Sequence, residues 1–368
     1  MLRQSQPSSP SSPSSSLLSL SFNQDHTCFS ASTKTGFRVF SCDPLRQLFR
    51  RVFPGDGFSH VEMLNQTNIL ALVGTGSHSQ FPRNSVVIWD DYRCESVGTL
   101  SFQGSIRGVR LRQDRIVVVL EFMVFVYSFG DLKVLCQFGT CENPKGLCVV
   151  SQLKESMVLA CPGLQRGHVR VEHFPKNKIN YIRAHDSRLA CLGLTIDGRF
   201  LATASTKGTL IRVFDTRNGA LLQEVRRGAI SAEIYSLAFS STAQWLAVSS
   251  DKGTVHVFCL KVDITNSDHK MSQCSTNSNA STTSSSSYLS FIKFKRVLPK
   301  YFNSEWSVAQ FRLQEGCRYT VAFGDPNNTL TILGMDGSFY RCEIYPMLDG
   351  QITDQLESSN FLKPELAS

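Results

Sequence analysis

Two stretches of the chain are near copies of each other: LATASTKGTLIRVF, from Leu201 to Phe214, and LAVSSDKGTVHVF, from Leu246 to Phe258. When they are aligned on the tripeptide KGT, Lys207 matches Lys252, an offset of 252 − 207 = 45 residues. Each copy has an apolar segment, a short polar turn that contains glycine, and then a segment in which apolar and polar residues alternate. This pattern predicts a pair of antiparallel strands joined by a tight turn.

Five weaker copies occur elsewhere, so the repeat is present about seven times. With the two copies above, they begin near residues 28, 69, 115, 157, 200, 245 and 319. Another apolar segment precedes each copy, and the one before the copy at 319 is WSVAQF. Repeats of about 40–45 residues with several strands in each are typical of a β-propeller. We therefore predict an all-β fold, a seven-bladed β-propeller with degenerate WD40 repeats, in which Trp89-Asp90 alone keeps the Trp-Asp dipeptide.

The interval before the seventh copy is 74 residues, against 41 to 46 for the others, and the excess lies at about 261–304. The first part of this segment is rich in Ser, Thr and Asn and is predicted to be disordered. The second part, Tyr288 to Phe302, has four Lys or Arg residues and no acid, which suits an anionic bilayer surface. The alternative is that its apolar residues pack back onto the ring. The residues predicted to enter the membrane are Phe291, Ile292, Phe294, Leu298, Tyr301 and Phe302.

Composition points to a large folded core and an anionic partner. Of 368 residues, 42% are hydrophobic and 25 are Phe, and the formal net charge is +8. This charge favours nucleic acid or an acidic membrane surface without choosing between them. The 12 cysteines include no CxxC pair, so zinc is not expected and a reducing compartment is the simplest interpretation. We predict no metal, no cofactor and no spanning helix, a disordered Ser/Pro-rich leader at 1–16, a ring at 17–345 and a C-terminal tail at 346–368.

Two adjacent arginines, Arg226 and Arg227, lie in the run VRRG, where a predicted strand meets a turn. Successive side chains of a strand point to opposite sides, so the two guanidinium groups are suited to two different pockets. A guanidinium is a planar fork that fits a phosphate group. The competing interpretation is a solvated strand end, which is the more common role of an isolated arginine pair.

These runs together resemble the PROPPIN family, which includes the WIPI-type autophagy proteins. The resemblance covers residues 17–345 and includes VRRG, the two KGT units, FNQDHTCF, NPKGLC and LPKYFNSEWS, and several of these runs suggest a plant-type member. The family motif is usually FRRG or LRRG, and Val225 stands at its first position here.

The resemblance implies two pockets for the head groups of phosphatidylinositol 3-phosphate and phosphatidylinositol 3,5-bisphosphate, on neighbouring blades. The first pocket would contain His185, Ser205, Lys207, Gly208, Thr209, Arg212 and Arg226. The second would contain Arg227, Gly228, Ser249, Ser250, Lys252, Thr254 and His256. Hydroxyls, backbone N–H groups and arginines are suitable phosphate partners, although Ser, Thr and Gly are also ordinary turn residues.

The resemblance also implies a biological setting. The protein would be a cytoplasmic autophagy effector that binds peripherally to phagophore or preautophagosomal, endosomal or vacuolar membranes and acts in autophagosome formation. It would bind a lipid-transfer protein of the Atg2 type, with Asn23 and Asp25 matching the contact turn in blade one, although Asn23 to Asp25 is also a plain hairpin turn.

Three other function classes remain as alternatives. A generic WD40 scaffold would bind proteins alone, and a nucleic-acid binder would use the net charge. An enzyme is disfavoured because the sequence has no Gly-rich phosphate loop, no GxSxG elbow and no pair of histidines on a helix.

Overall fold

The strands of the chain form seven sheets, and these follow one another as the blades of a propeller. The computed structural model describes residues 17–55, 57–76, 80–174, 176–261, 305–324, 329–344 and 355–362. Within these ranges every regular element is a strand. The predicted fold class, a seven-bladed β-propeller, is confirmed. The predicted leader at 1–16 and the residues predicted to enter the membrane lie outside the described ranges.

Blades one to four each have four strands in chain order. Their strands are β1 (Leu17–Phe22), β2 (Cys28–Thr33), β3 (Gly36–Cys42), β4 (Leu45–Val52), β5 (Phe58–Met63), β6 (Ile69–Gly74), β7 (Ser85–Asp90), β8 (Glu95–Ser101), β9 (Gly108–Leu111), β10 (Arg115–Val119), β11 (Met123–Ser128), β12 (Val134–Gly139), β13 (Val149–Val150), β14 (Val158–Pro162), β15 (His168–His173) and β16 (Lys178–Arg183).

Blade five has a fifth strand, β24, which comes from later in the chain, so that its order is β17-β18-β19-β20-β24. Blade six has the order β21-β22-β23-β25, and blade seven β26-β27-β28-β29. Their strands are β17 (Leu189–Leu194), β18 (Phe200–Ser205), β19 (Leu210–Asp215), β20 (Leu221–Arg226), β21 (Ile234–Phe239), β22 (Trp245–Ser250), β23 (Thr254–Cys259), β24 (Glu305–Trp306), β25 (Ala309–Arg312), β26 (Tyr319–Phe323), β27 (Thr329–Gly334), β28 (Ser338–Glu343) and β29 (Gln355–Asn360).

The core is divided into layers between neighbouring blades. Residues that alternate along a strand point to opposite faces of its sheet, so each blade contributes to two layers. In blade five, Leu201 and Phe214 pack against blade four, whereas Ala202 and Val225 pack against blade six. The same alternation determines which side of blade five each polar residue of a strand faces.

Among the described residues, the ring closes between blades one and seven without exchange of a strand. Phe29 and Phe40 of blade one pack against Phe339 and Phe361 of blade seven, with the rings of Phe29 and Phe361 5.1 Å apart. The Nδ1 atom of His26 is also 3.0 Å from the carbonyl oxygen of Phe323. Aromatic packing and side-chain hydrogen bonds therefore join the two ends of the ring.

The seventh repeat is out of phase with the prediction by one strand. The first six predicted starts fall on the second strand of each blade, but the start at 319 falls on β26, the first strand of blade seven. The segment WSVAQF was predicted to precede this repeat as the first strand of its blade. Instead Trp306 belongs to β24, and Ala309–Arg312 is the outer strand of blade six. Apolar alternation does not distinguish a first strand from a fourth strand, and the inserted segment removed the spacing that would have done so.

The ring also extends beyond the predicted boundary at residue 345. Strand β29 pairs with β28, and Phe361 is buried in the closing layer. Residues 355–362 are therefore part of blade seven rather than of a C-terminal tail.

Candidate anion-binding site

The two KGT segments form equivalent hairpin turns in neighbouring blades. Gly208 lies between β18 and β19 with φ 62°, and Gly253 lies between β22 and β23 with φ 60°. A Cβ atom would lie 1.8 Å from the Ala232 carbonyl oxygen at the first position and 2.7 Å from the Leu313 carbonyl oxygen at the second. Both turns therefore need glycine for their backbone conformation and for space.

The strand pairing shows that the two hairpins are not aligned residue by residue. Arg212 pairs with Thr203 in blade five, and His256 pairs with Val248 in blade six. Thr203 and Val248 are equivalent, since each is the fourth residue of its strand. Arg212 and His256 therefore occupy the same place in their blades. The turn of blade five is one residue longer than the turn of blade six.

The first group of predicted residues faces blade four. Because Val225 points into the layer between blades five and six, its neighbours Glu224 and Arg226 point to the other side. Arg212 pairs with Glu224 across the sheet and shares that side. His185, from the linker that follows blade four, reaches the same place, with its Nε2 atom 2.9 Å from Thr203 Oγ1. By the same alternation Ser205 also faces blade four.

Positive charge is concentrated around this first group. Burial, with a smaller contribution from the nearby charge of Arg212, lowers the pKa of His185 from 6.5 to about 4. The hydrogen bond and the charge of Arg183 lower the pKa of Asp186, and the charges of Arg212 and Lys207 make smaller contributions. Lys207 is exposed. A buried neutral histidine beside a guanidinium and an exposed lysine forms a site that an anion would stabilise.

The guanidinium of Arg212 already has protein partners. Its Nη1 atom donates to the Ala184 carbonyl oxygen at 2.6 Å, and its Nε atom donates to Glu224 Oε2 at 2.8 Å. The sequence analysis did not identify Glu224, and its carboxylate would compete with a bound phosphate for Arg212.

The second group lies between blades five and six. The Nε atom of Arg227 donates to the Gly208 carbonyl oxygen at 3.0 Å, and its backbone N–H donates to the Thr209 carbonyl oxygen at 3.0 Å. Burial lowers the pKa of His256 to about 4, and the charge of Arg227 contributes to that shift. The Nε2 atom of His256 is 3.2 Å from Thr254 Oγ1. Arg227 is therefore held by the turn of blade five while its charge acts on blade six.

Two further residues complete this second group. The Ser250 hydroxyl is buried and has no hydrogen-bond partner among the described residues. Lys252 is exposed at the turn, and its Nζ atom is 3.1 Å from Asp251 Oδ2. A phosphate oxygen would supply an acceptor for both side chains.

Ser249 is not brought together with this group, although the sequence analysis included it. It is 0% exposed, and its hydroxyl donates to the Tyr319 carbonyl oxygen of blade seven at 2.6 Å. Adjacent strand residues face opposite ways, so Ser249 and Ser250 cannot both line one pocket. Gly228 lies next to Arg227, and a Cβ there would meet no atom within 4 Å, so the fold itself does not require glycine at this position.

Arg312 is a candidate that the sequence analysis missed. It pairs with Thr254 in blade six as Arg226 pairs with Leu210 in blade five. It is exposed, and it faces blade five because its neighbour Phe311 packs toward blade seven. The sequence analysis assigns the segment that contains β25 to blade seven, and this assignment separates Arg312 from the residues of the second group.

The two residues predicted to bind a protein partner have different surroundings. Asn23 is 2% exposed, and its Oδ1 atom accepts a hydrogen bond from the Cys28 N–H at 3.0 Å, so it shapes the turn. Asp25 is exposed, and one of its carboxylate oxygens accepts a hydrogen bond from Gln66 Nε2 at 3.0 Å. Only Asp25 is therefore placed to contact another molecule directly.

The described part of the chain has no metal-binding cluster and no membrane-spanning helix. No cluster of three or more His, Cys, Asp or Glu residues there could hold a metal ion. No helix long and apolar enough to cross a membrane is found in those ranges either.

Comparison with known proteins gives a consistent family. The sequence model of the PROPPIN family matches residues 16–291. Autophagy-related protein 18e of Arabidopsis thaliana is 43% identical over 348 residues, which are 94% of this chain and 88% of that protein. Autophagy-related protein 18 of Dictyostelium discoideum is 30% identical over 361 residues, 95% of each chain.

Solved structures show the same fold. Kluyveromyces lactis Hsv2 superposes with a TM-score of 0.73 at 24% identity, over 94% of this chain and 99% of that one. KlAtg21, solved in a complex with the coiled coil of AgAtg16, has a TM-score of 0.73 at 24% identity, over 93% of this chain and 98% of that one.

Proposed function

The chain belongs to the PROPPIN family, and on that premise we propose that it is a phosphoinositide-binding propeller that is recruited to membranes as an autophagy effector. The ligands would be phosphatidylinositol 3-phosphate and phosphatidylinositol 3,5-bisphosphate. The observation that carries the proposal is the pair Arg226 and Arg227. The side chain of Arg226 points toward blade four, whereas that of Arg227 lies on the side of blade six. Each side has its own buried histidine, and each has its own Lys-Gly-Thr turn.

Two weak pockets on one rigid ring would act together. Once one head group is bound, the second binding event is effectively intramolecular, and avidity can exceed either affinity by about 10²–10⁴. The segment at 261–304, with its basic and aromatic second half, would add contact with the bilayer. The protein would thereby respond to a phosphoinositide and an accessible bilayer at the same time.

The bound ring would then recruit a partner. We propose that this partner is a lipid-transfer protein of the Atg2 type. The exposed carboxylate of Asp25 would contact the partner, and the buried Asn23 would shape the blade-one turn that carries Asp25. The sites of action would be phagophore or preautophagosomal, endosomal or vacuolar membranes, reached from the cytoplasm. Loss of co-precipitation with that partner in Asp25→Ala, with lipid binding intact, is the expected result.

The central experiment measures lipid binding by flotation on vesicles with and without phosphatidylinositol 3-phosphate, and binding of the soluble head group by calorimetry. Arg226→Ala with Arg227→Ala should abolish both. Since Arg227 also holds the Gly208 turn, Lys207→Ala with Lys252→Ala is the cleaner variant, because both side chains are exposed. Lys133→Ala, an exposed lysine on blade three, is the matched control.

The alternatives predict different results. A generic WD40 scaffold that binds proteins alone would show no dependence on the head group. A nucleic-acid binder would lose affinity steeply with salt and show no preference for 3-phosphoinositides. Unchanged head-group binding in both double variants would reject the proposal.

A further inference from the structure

Two large exposed apolar side chains flank the arginine pair. Trp306 is 53% exposed and Ile230 is 75% exposed. Arg226 and Arg227 themselves are each 7% exposed, so solvent reaches a much larger fraction of the apolar side chains than of the two arginines beside them.

Trp306 lies beside the first arginine. It belongs to β24, the outermost strand of blade five, which runs parallel to β20 with Arg226 opposite Trp306. The preceding residue, Glu305, is held by Gln223 Nε2 at 2.9 Å and by Lys261 Nζ at 2.8 Å. The backbone pairing and these bonds place the indole at the rim of the propeller.

Ile230 lies beside the second arginine. The Nη2 atom of Arg227 donates a hydrogen bond to the Ile230 carbonyl oxygen, while its Nε atom donates to that of Gly208. One guanidinium therefore ties the exposed isoleucine to the turn of the first pocket. The position of Ile230 relative to the second pocket is set by the same side chain that would bind the head group there.

We propose that Trp306 and Ile230 form a bilayer-contact pair, in which each inserts into the boundary between head groups and acyl chains next to one phosphate pocket. This inference rests on the proposed function and adds a contact that is separate from the segment at 261–304. Tryptophan favours the membrane interface, and an apolar side chain beside cations fits a surface of phosphates over hydrocarbon. The exposed cations Lys207, Lys252 and Arg312 near the two turns make a lipid surface a better match than an apolar protein surface.

The chain offers matched controls on other blades. Phe122 is 56% exposed at the turn between β10 and β11, and Leu164 is 69% exposed at the turn between β14 and β15. Both are as exposed as the proposed pair, yet neither adjoins the arginines. A general effect of surface hydrophobicity would be the same for all four positions.

Tryptophan fluorescence tests the geometry directly in the full-length protein. The chain has three tryptophans, and Trp245 is 8% exposed while Trp89 is half-buried in the layer between blades one and two. Vesicles of brominated phosphatidylcholine with phosphatidylinositol 3-phosphate should quench the wild type and leave Trp306→Phe unquenched. Absence of quenching in wild-type protein that co-floats with the vesicles would overturn the assignment of Trp306.

Binding measurements test the energetic role of both residues. Trp306→Ser and Ile230→Ser should each weaken vesicle binding by about three- to tenfold, the effect of partial burial of one such side chain. Phe122→Ser and Leu164→Ser should leave it unchanged, and all four should bind the soluble head group as the wild type does.

The outcomes separate this inference from the function on which it rests. If head-group binding depends on the arginines but vesicle binding is insensitive to Trp306→Ser and Ile230→Ser, the bilayer-contact pair is rejected while the proposed function stands. Equal losses in the control variants would also reject it. If head-group binding is absent in the wild type, the proposed function itself fails.

Discussion

Arg226 and Arg227 are neighbours in the chain but act on different sides of blade five. Arg226 is the last residue of β20 and points toward blade four, whereas Arg227 donates to the Gly208 carbonyl oxygen and lowers the pKa of His256 in blade six. Arg212 and His256 occupy equivalent places in the two hairpins. The two candidate pockets are thus related by the repeat but have different side chains at the same position, an arginine in one and a neutral histidine in the other.

Arg312 provides a test of this relation at the level of one residue. Because it occupies in blade six the place of Arg226 in blade five, Arg312→Gln should weaken head-group binding by about fivefold, which corresponds to roughly 1 kcal/mol for one cation. Calorimetry with the soluble head group measures the change. Arg166→Gln, an exposed arginine on blade four, is the control. Equal affinities for Arg312→Gln and the wild type would remove Arg312 from the second pocket.

The histidines of the two candidate pockets, His185 and His256, predict one part of how stability depends on pH. Each has a pKa of about 4 in the folded protein, against 6.5 ordinarily, so below 6.5 the unfolded chain binds more protons than the folded protein. Their contribution is therefore complete above pH 6.5 and is lost as the pH falls toward 4. Thermal unfolding followed across this range should show a smaller decrease of Tm for His185→Gln with His256→Gln than for the wild type. A parallel decrease in both proteins would contradict this assignment.

Strand β20 connects the arginine pair with Lys261 and Glu305, the two residues that flank the long insertion. Gln223 in this strand donates to Glu305 Oε2 at 2.9 Å and accepts from the Lys261 N–H at 2.9 Å. These two residues are the described positions on either side of 262–304. Lys261 and Glu305, which flank the inserted segment, are consequently both held by the outer part of blade five.

Removal of the hydrogen bonds from Gln223 to Lys261 and Glu305 should weaken membrane retention without weakening head-group binding. Gln223→Ala removes the side chain that holds Lys261 and Glu305, so flotation with phosphatidylinositol 3-phosphate vesicles should decrease severalfold while calorimetry stays at the wild-type value. Asn180→Ala is a suitable control, because Asn180 is a blade-four residue whose Nδ2 atom likewise bonds backbone carbonyl oxygens. Equal flotation of Gln223→Ala and the wild type would show that the contacts of Gln223 with Lys261 and Glu305 have no role in membrane retention.

The elements also show what the sequence could and could not predict. The hairpins around KGT were predictable because a required glycine and alternating apolar residues are local signals. The phase of the seventh repeat was not, because first and fourth strands share one apolar pattern and the insertion had removed the spacing. The direction of Ser249 and the acid Glu224 beside Arg212 depend on contacts across sheets and between blades, which a single sequence does not encode locally.

The ring depends on the contact between its first and last blades. Phe361 is 6% exposed and packs on Phe29 and Phe40, although it lies 16 residues beyond the predicted end of the ring at 345 (361 − 345). No exchanged strand reinforces this junction in the described residues, since each of the two blades uses its own four strands. The closing layer is therefore expected to be sensitive to loss of aromatic volume.

Removal of residues 346–368 tests this view of the closing layer. The deletion takes away β29 and Phe361, so Tm should fall strongly, and Phe361→Ala alone should lower the free energy of unfolding by about 3–5 kcal/mol. Denaturant unfolding measures both variants. Leu48→Ala, a 43%-exposed position on the outer strand of blade one, serves as the control. Wild-type stability of the deletion variant would show that these residues are a dispensable tail.

The adjacency of Arg226 and Arg227 has a consequence for what the protein would measure on a membrane. Two pockets that each used one of these consecutive residues would stand at a separation that the backbone sets, so the ring would hold two head groups at a fixed distance along the membrane plane. When both pockets must be filled, the bound fraction at low coverage scales with the square of the lateral density of the lipid. The protein would then ignore sparse phosphoinositide and assemble on patches where the lipid is locally crowded.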